Sequence, residues 1–317
     1  MKADKKLDKT RNKSYTKLAL SFLFTVFKLL AGLSGNSTLL LADAIRSFSE
    51  FINESIRFLD LSIANEPEDK NHNYGHGKIT TLCTGAGACM LLLASFHTFS
   101  LSSGELLMFI QGKEPEAPGM IALFAAVSAF VSRDIIFAEN DELRVKKSPS
   151  KARARIKDLF LSGFVILGIG CTFLPGKGFD IADSFAAVLL SLYLLWNSGR
   201  LLYRTTDELI EASLEDENNR RIREIISQTE NVTDCGELKT RRIGRRIAIN
   251  VCLSVNNSLS IREAVEIANL VEERLKAAFE EDTYVLIKIE PNQGKKQTFK
   301  TRGRSSEEER RKTGTLV

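Results

Sequence analysis

At 317 residues with a formal net charge of +4, the chain's overall charge says little by itself, and its basic tail is too short and too mixed in sign to argue for a nucleic-acid partner. Its 44% hydrophobic and 26% charged composition would suit a soluble protein of one or two domains, but the distribution excludes that reading. Long runs of Leu, Phe, Ala and Val fill the chain up to about Tyr203, whereas Thr205 to Val317 reads as charged helices, alternating strands and a tail.

The chain opens with a basic segment, residues 1–14, and continues into an apolar run too long for a signal peptide and without a small-residue cleavage site. We read that run as a retained first membrane helix. Six stretches have the roughly 20 residues of helix needed to cross a hydrocarbon core: Tyr15 to Leu33, Leu39 to Ala64, Thr80 to Ser103, Gly119 to Ala138, Ile156 to Pro175 and Ile181 to Tyr203. They define an expected transmembrane domain over residues 15–204. Basic residues set its orientation. Lys2, Lys5, Lys6, Lys9, Arg11 and Lys13 precede the first span, and Arg144, Lys146, Lys147, Lys151, Arg153, Arg155 and Lys157 crowd the fourth connection. The alternate loops are poor in them, so the positive-inside rule puts both termini in the cytoplasm.

The second span, LLLADAIRSFSEFINESIRFLDLSIA, carries Asp43, Arg46, Glu50, Asn53 and Glu54 on one helical stripe. A charge at mid-membrane costs about 2.5–3.5 kcal/mol on insertion scales, so such a stripe marks a polar path or an internally neutralised cluster. Asp158 opens the fifth span and would face this stripe, adding to an oxygen-rich site. Asp180 and Asp183 open the sixth, where a carboxylate caps a helix and offsets its dipole. His97, inside the third span, is expected to be a satisfied polar group.

The connector from Asn65 to Lys78, NEPEDKNHNYGHGK, holds two of the three histidines in the chain. Asp69, His72 and His76 are spaced to meet on one face of a helical turn and close around a divalent cation. Spacing alone leaves a solvated loop equally open, because three ligands without a fourth do not define a site.

Beyond the spans, residues 205–292 form an expected α+β domain: helix Glu217 to Thr229, strands Glu237 to Arg242 and Arg246 to Val255, helix Ile261 to Glu280, and strand Tyr284 to Ile289. This α-β-β-α-β order suggests a ferredoxin-like sandwich. Residues 293–317 lack apolar periodicity and read as a disordered tail. The cysteines Cys83, Cys89, Cys171, Cys235 and Cys252 form no CxxC pair and imply no disulfide framework. No nucleophile, base and orienting residue recur at a useful spacing and no glycine-rich phosphate loop follows a strand, so the chain is not read as an enzyme and no organic cofactor is expected.

The stretches LLLADAIRSFSE, HNYGHGKITTL, DLFLSGFVILGIG, DSFAAVLLSLYLLWNSGRLLY, DELIEASLEDE, SIREAVEIA and IKIEP together resemble the cation diffusion facilitator family, over about Lys17 to Pro291. YGHGK is the most specific of them. The resemblance implies a mostly α membrane protein with six transmembrane helices and a small cytosolic domain. It also implies a dimeric antiporter, homodimer or heterodimer, that exports zinc, iron or manganese from the cytosol in exchange for protons.

Residue by residue, the resemblance divides the chain. The family draws its transport ligands from the second and fifth spans, each pair four residues apart. Those positions hold Arg46 and Glu50, then Ala154 and Asp158. Arginine has no lone pair to give a metal and stays protonated, so half of that site is degenerate. Glu50 and Asp158, with Asp43, remain as membrane ligands, an oxygen set that favours manganese, iron or magnesium over zinc. Asp69, His72 and His76 all match family ligands. Lys78 matches a lysine that pairs with an acid after the sixth span, here Glu211. In the cytosolic domain the ligand positions hold Gly236, Cys252, Val265 and Lys288, leaving Cys252 and Glu290 as weak candidates. The resemblance also leaves open an alternative, a transport-deficient paralogue acting as a dimer partner or scaffold.

Overall fold

The computed structural model describes residues 2–60, 69–113, 117–145, 149–175, 179–244, 246–279 and 283–292. The tail at 293–317 lies outside these residues, as do the side chains of Ala154 and Asp180. The chain divides into two compact units, Met1–Ala212 with Arg242–Arg246, and Ser213–Arg241 with Ile247–Val317.

The first unit contains six long helices among the described residues: α1 (Lys2–Ser34), α2 (Thr38–Leu59), α3 (Lys78–Ile110), α4 (Met120–Val145), α5 (Pro149–Cys171) and α6 (Ala182–Leu209). α1 runs unbroken from Lys2 through the basic segment. Among the described residues three stretches, Ser14–Ser34, Lys78–Ile110 and Ala182–Leu209, are long and apolar enough to cross a membrane by length and composition alone. α2 falls short of that measure because of its own charges, and α5 because it opens on Lys151, Arg153, Arg155, Lys157 and Asp158. In α4 the described side chains include the apolar stretch Met120–Ser132.

The unit is packed with small side chains inside and large apolar ones outside. Ala31, Ala42, Ala122, Ala125, Ala126, Ala186 and Ala187 line its core beside Leu39, Leu40 and Ile169, while Leu93, Phe124, Phe160 and Trp196 are exposed. That inversion is how helices associate in lipid, where close backbone approach replaces the hydrophobic drive available in water. A side chain at Gly168 on α5 would meet Leu39 at 2.5 Å, and one at Gly87 on α3 would meet Ile52 at 2.7 Å.

α3 and α6 run side by side in opposite directions with a fixed register. Lys78 meets Glu211, Thr81 donates to Glu208 at 2.8 Å, Gly85 faces Thr205, and near the far end Ser184 donates to Glu105 at 2.7 Å.

The second unit follows the expected order: α7 (Asp216–Ser227), β1 (Val232–Ile243), β2 (Arg246–Val255), α8 (Ile261–Phe279) and β3 (Tyr284–Pro291). The sheet order is β1-β2-β3, with β2 parallel to β3 and Val251 opposite Ile287. A parallel pair needs a crossover, which α8 supplies. That helix starts with a capping box: Glu263 accepts the Ser260 N–H at 2.7 Å, and its own N–H donates to Ser260 Oγ at 3.3 Å. Ile222 and Ile226 of α7 and Val271 and Leu275 of α8 bury the same face of the sheet as Ile249, Val251 and Leu253.

Candidate metal centre

The connector ligands converge, though not on a helix. Asp69 Oδ1 accepts the backbone N–H groups of Asn71 at 2.8 Å and His72 at 2.6 Å, which folds the chain into an Asx-type turn. Gly75, at φ +73, continues the reversal in a conformation that side-chain-bearing residues seldom adopt, and His76 arrives just before α3 begins. His72 Nδ1 then lies 3.2 Å from Asp69 Oδ1, His76 Nε2 lies 3.6 Å from Asp69 Oδ2, and the two rings are 4.3 Å apart at their centroids. One ligand atom from each residue falls within 4.8 Å of the others. A tetrahedral zinc site with bonds of about 2.0–2.1 Å places its donors about 3.3 Å apart, so these separations are close to a ligand cage. The amides that build the turn, His72's first among them, also hold the Asp69 carboxyl below the usual carboxylate range. His76 is mostly buried, and its Nδ1 has no hydrogen-bond partner among the described residues.

Two residues past His76, Lys78 Nζ lies 3.0 Å from Glu211 Oε1 within the same chain. Glu211 sits just beyond the C-terminus of α6 at φ +63, the left-handed position where helices commonly stop. The ion pair joins that stop to the first turn of α3.

The charged stripe on α2 is organised differently. Asp43 is buried and engaged by two cations: Lys28 of α1 at 2.7 Å from Oδ2 and Arg46 at 2.7 Å from Oδ1. Lys28 also donates to Ser47 Oγ at 2.9 Å, and Arg46 reaches α5, donating to Ser162 Oγ at 2.9 Å. Glu50 is partly exposed, with Arg46 Nη1 at 4.0 Å, beyond hydrogen-bonding distance. Asp158 on α5 adds to the field at Arg46. Glu54 pairs with Arg57 at 2.9 Å. Asp43 is therefore a counter-ion before it is a ligand, and Arg46 is held by hydrogen bonds on both sides.

Lys28, Ser47 and Ser162 do not figure among the residues expected from sequence. Lys28 had a usable signal: a cation within an apolar helix demands a partner. The serines gave none, because hydroxyls are common in membrane helices. His97 also departs from expectation. It is exposed on α3 rather than satisfied in the interior.

In the second unit Cys252 faces away from the helix-covered side, opposite Lys288 in the register of β2 and β3. Burial pushes its thiol up, and Glu290 within hydrogen-bonding reach adds to that. Lys288 Nζ lies 2.6 Å from Glu290 and holds that carboxyl down. A protonated thiol beside a carboxylate already paired with a lysine is a poor pair of metal ligands. Gly236 lies beside Cys252 and offers no side-chain donor.

Comparison with known proteins matches residues 15–210 to the cation efflux transmembrane domain and residues 214–292 to the cation efflux protein cytoplasmic domain. The chain is 28% identical to the cation-efflux pump FieF of Shewanella oneidensis, over 88% of this chain and 93% of that one. It is 25% identical to the manganese efflux system protein MneP of Bacillus subtilis, over 86% and 93% respectively. It is also 25% identical to metal tolerance protein C1 of Arabidopsis thaliana, over 84% of this chain and 59% of that protein.

Proposed function

The chain belongs to the cation efflux, or cation diffusion facilitator, family, and on that premise we propose that it exports a divalent metal ion, zinc, iron or manganese, from the cytosol in exchange for protons. The observation that carries this reading is the convergence of Asp69, His72 and His76 within 4.8 Å. Three protein donors leave a coordination position open, the arrangement of sites that exchange a ligand rather than lock a metal in place. Binding through imidazole and carboxylate competes with protons, which supplies a physical basis for exchange. In this reading α1 to α6 cross the membrane with both termini in the cytosol, and the connector takes metal from that side. The second unit is a ferredoxin-like domain that pairs with a second copy or another family member, in line with a cytoplasmic-domain family named for its dimer. Within the membrane, Glu50 and Asp158 are the carboxylates left to carry the ion past Arg46.

One observation favours a second reading, a paralogue that pairs with another subunit without transporting. Arg46 occupies a transport-ligand position and is fixed there by Asp43 and Ser162. Metal tolerance in a host stripped of its own exporters separates the two. The wild-type chain is compared with Arg46→Asp and with Arg46→Asp plus Ala154→His, at matched membrane abundance. Protection by the wild-type chain that Arg46→Asp abolishes supports transport with the arginine as a working part. Protection only by the double variant supports the non-transporting partner.

A further inference from the structure

Four cations gather where α5 and α6 lie side by side. Lys157 of α5 holds its ammonium 4.9 Å from the ring centroid of Tyr193 on α6, although the lysine itself is exposed. Farther along, a side chain at Gly168 of α5 would meet Ala186 of α6 at 3.0 Å. The later α5 position thus meets the earlier α6 position, so the helices are antiparallel. Arg153 is fifteen residues before Gly168 and Leu201 fifteen after Ala186, which brings Arg153 level with the turn from Arg200 to Arg204. Arg200 and Arg204 follow Tyr193 by seven and eleven residues, returning both to its face of α6 within about 20°. All four cations are exposed, and among the described residues no carboxylate pairs with any of them.

On the neighbouring face of α6, Phe185, Leu189, Leu192 and Trp196 form an exposed apolar stripe, and Tyr203 continues it past Arg200. From Phe185 to Tyr203 a helix rises about 27 Å, close to the roughly 30 Å of a hydrocarbon core. Trp196 and Tyr203 bracket Arg200, and such amphipathic rings sit at the depth of lipid headgroups. The junction therefore sets unneutralised charge at one end of a surface as long as an acyl chain. Guanidinium groups match phosphate oxygens in a forked geometry, and an ammonium adds a point charge. A soluble anion would satisfy the cations and leave the stripe bare. A zwitterionic lipid would bring its own cation into a cluster that already holds four.

We propose that the α5–α6 junction binds an anionic phospholipid, its phosphodiester held by Arg153, Lys157 and Arg200 and an acyl chain laid along Trp196, Leu192 and Leu189. Arg204, one turn nearer the helix end, draws the headgroup in. The bound lipid fastens the first turns of α5, the helix that carries Asp158, to α6. The site rests on α5 and α6 crossing a membrane and is independent of whether the chain transports.

Trp196 is the single tryptophan of the chain and stands on the stripe, so its fluorescence reports on this site alone. The full-length chain is placed in phosphatidylcholine nanodiscs doped with either brominated phosphatidylglycerol or brominated phosphatidylcholine, whose bromines quench on contact. Phosphatidylglycerol should quench at an about tenfold lower mole fraction, and added salt should narrow the gap. Arg153→Gln with Lys157→Gln and Arg200→Gln should bring the two lipids level. Arg153→Lys with Arg200→Lys should keep the preference, which separates lost charge from lost fold. So should Lys239→Gln with Arg262→Gln, exposed cations of the second unit. Equal quenching of the wild-type chain by both lipids overturns the proposal. Quenching by neither means that protein, such as a second copy, covers the stripe, and overturns it too. If sodium phosphate abolishes the preference where sodium chloride of equal ionic strength does not, the ligand is free phosphate rather than lipid. A chain that enters no nanodisc removes the membrane premise and the site with it.

Discussion

Asp69 and Asp43 are both aspartates with close nitrogen partners, and they show how differently one carboxylate can be surrounded. Asp69 is exposed and accepts backbone amides on one oxygen, leaving the other turned toward His76. Its partners are imidazoles, which hold a lone pair when neutral and can turn it to a metal. Asp43 is buried and each of its oxygens faces a basic side chain, Lys28 on one and Arg46 on the other. In the connector the carboxylate faces imidazoles; in the helix bundle it faces cations tethered to the chain. The same carboxylate group is thus left accessible in one place and neutralised by the chain's own cations in the other.

Removing the buried counter-ion should have the largest effect. Asp43→Asn leaves Lys28 and Arg46 facing each other in the interior, and breaking a buried pair from one side costs about 3–5 kcal/mol. Unfolding in detergent by denaturant titration measures it. A variant as stable as the wild type would mean that Asp43 is not the counter-ion described. Next comes the connector: His72→Ala with His76→Ala should weaken zinc or manganese binding by more than about 100-fold, since loss of outer-shell partners alone costs about 10–100-fold. Calorimetric titration of the solubilised chain reads this, and unchanged binding would erase the contrast between the two aspartates. The smallest effect belongs to Lys78→Met. Both partners of that ion pair are well exposed, so stability should fall by about 1 kcal/mol or less. A larger loss in the same unfolding assay would show the pair to be more than a surface contact.

The connector was legible in the sequence because its ligands are rare residue types crowded into a short polar stretch. Their geometry was not, since an Asx turn built on Asp69 replaces the helical turn that spacing suggests. Helix positions and the α-β-β-α-β order followed from apolar periodicity, which tertiary packing reinforces rather than overrides. The charged stripe on α2 was visible, but its electrostatic meaning depended on Lys28, a residue on another helix and 15 positions upstream of Asp43. Sequence spacing reports neighbours along one helix and is silent about neighbours between helices. For the same reason Asp183 reads as a cap for its own helix, although its hydrogen bonds go to α2.

The seam between α3 and α6 is tied by Lys78 to Glu211 and by Thr81 to Glu208 at one end, and by Glu105 to Ser184 at the other. Sliding either helix by one residue turns its side chains by about 100° and undoes the ties at both ends together. A register shift along the seam is therefore opposed at both ends. Paired spin labels at the two ends of the seam would read whether that register is kept, giving a reference against which movement of the other helices can be gauged.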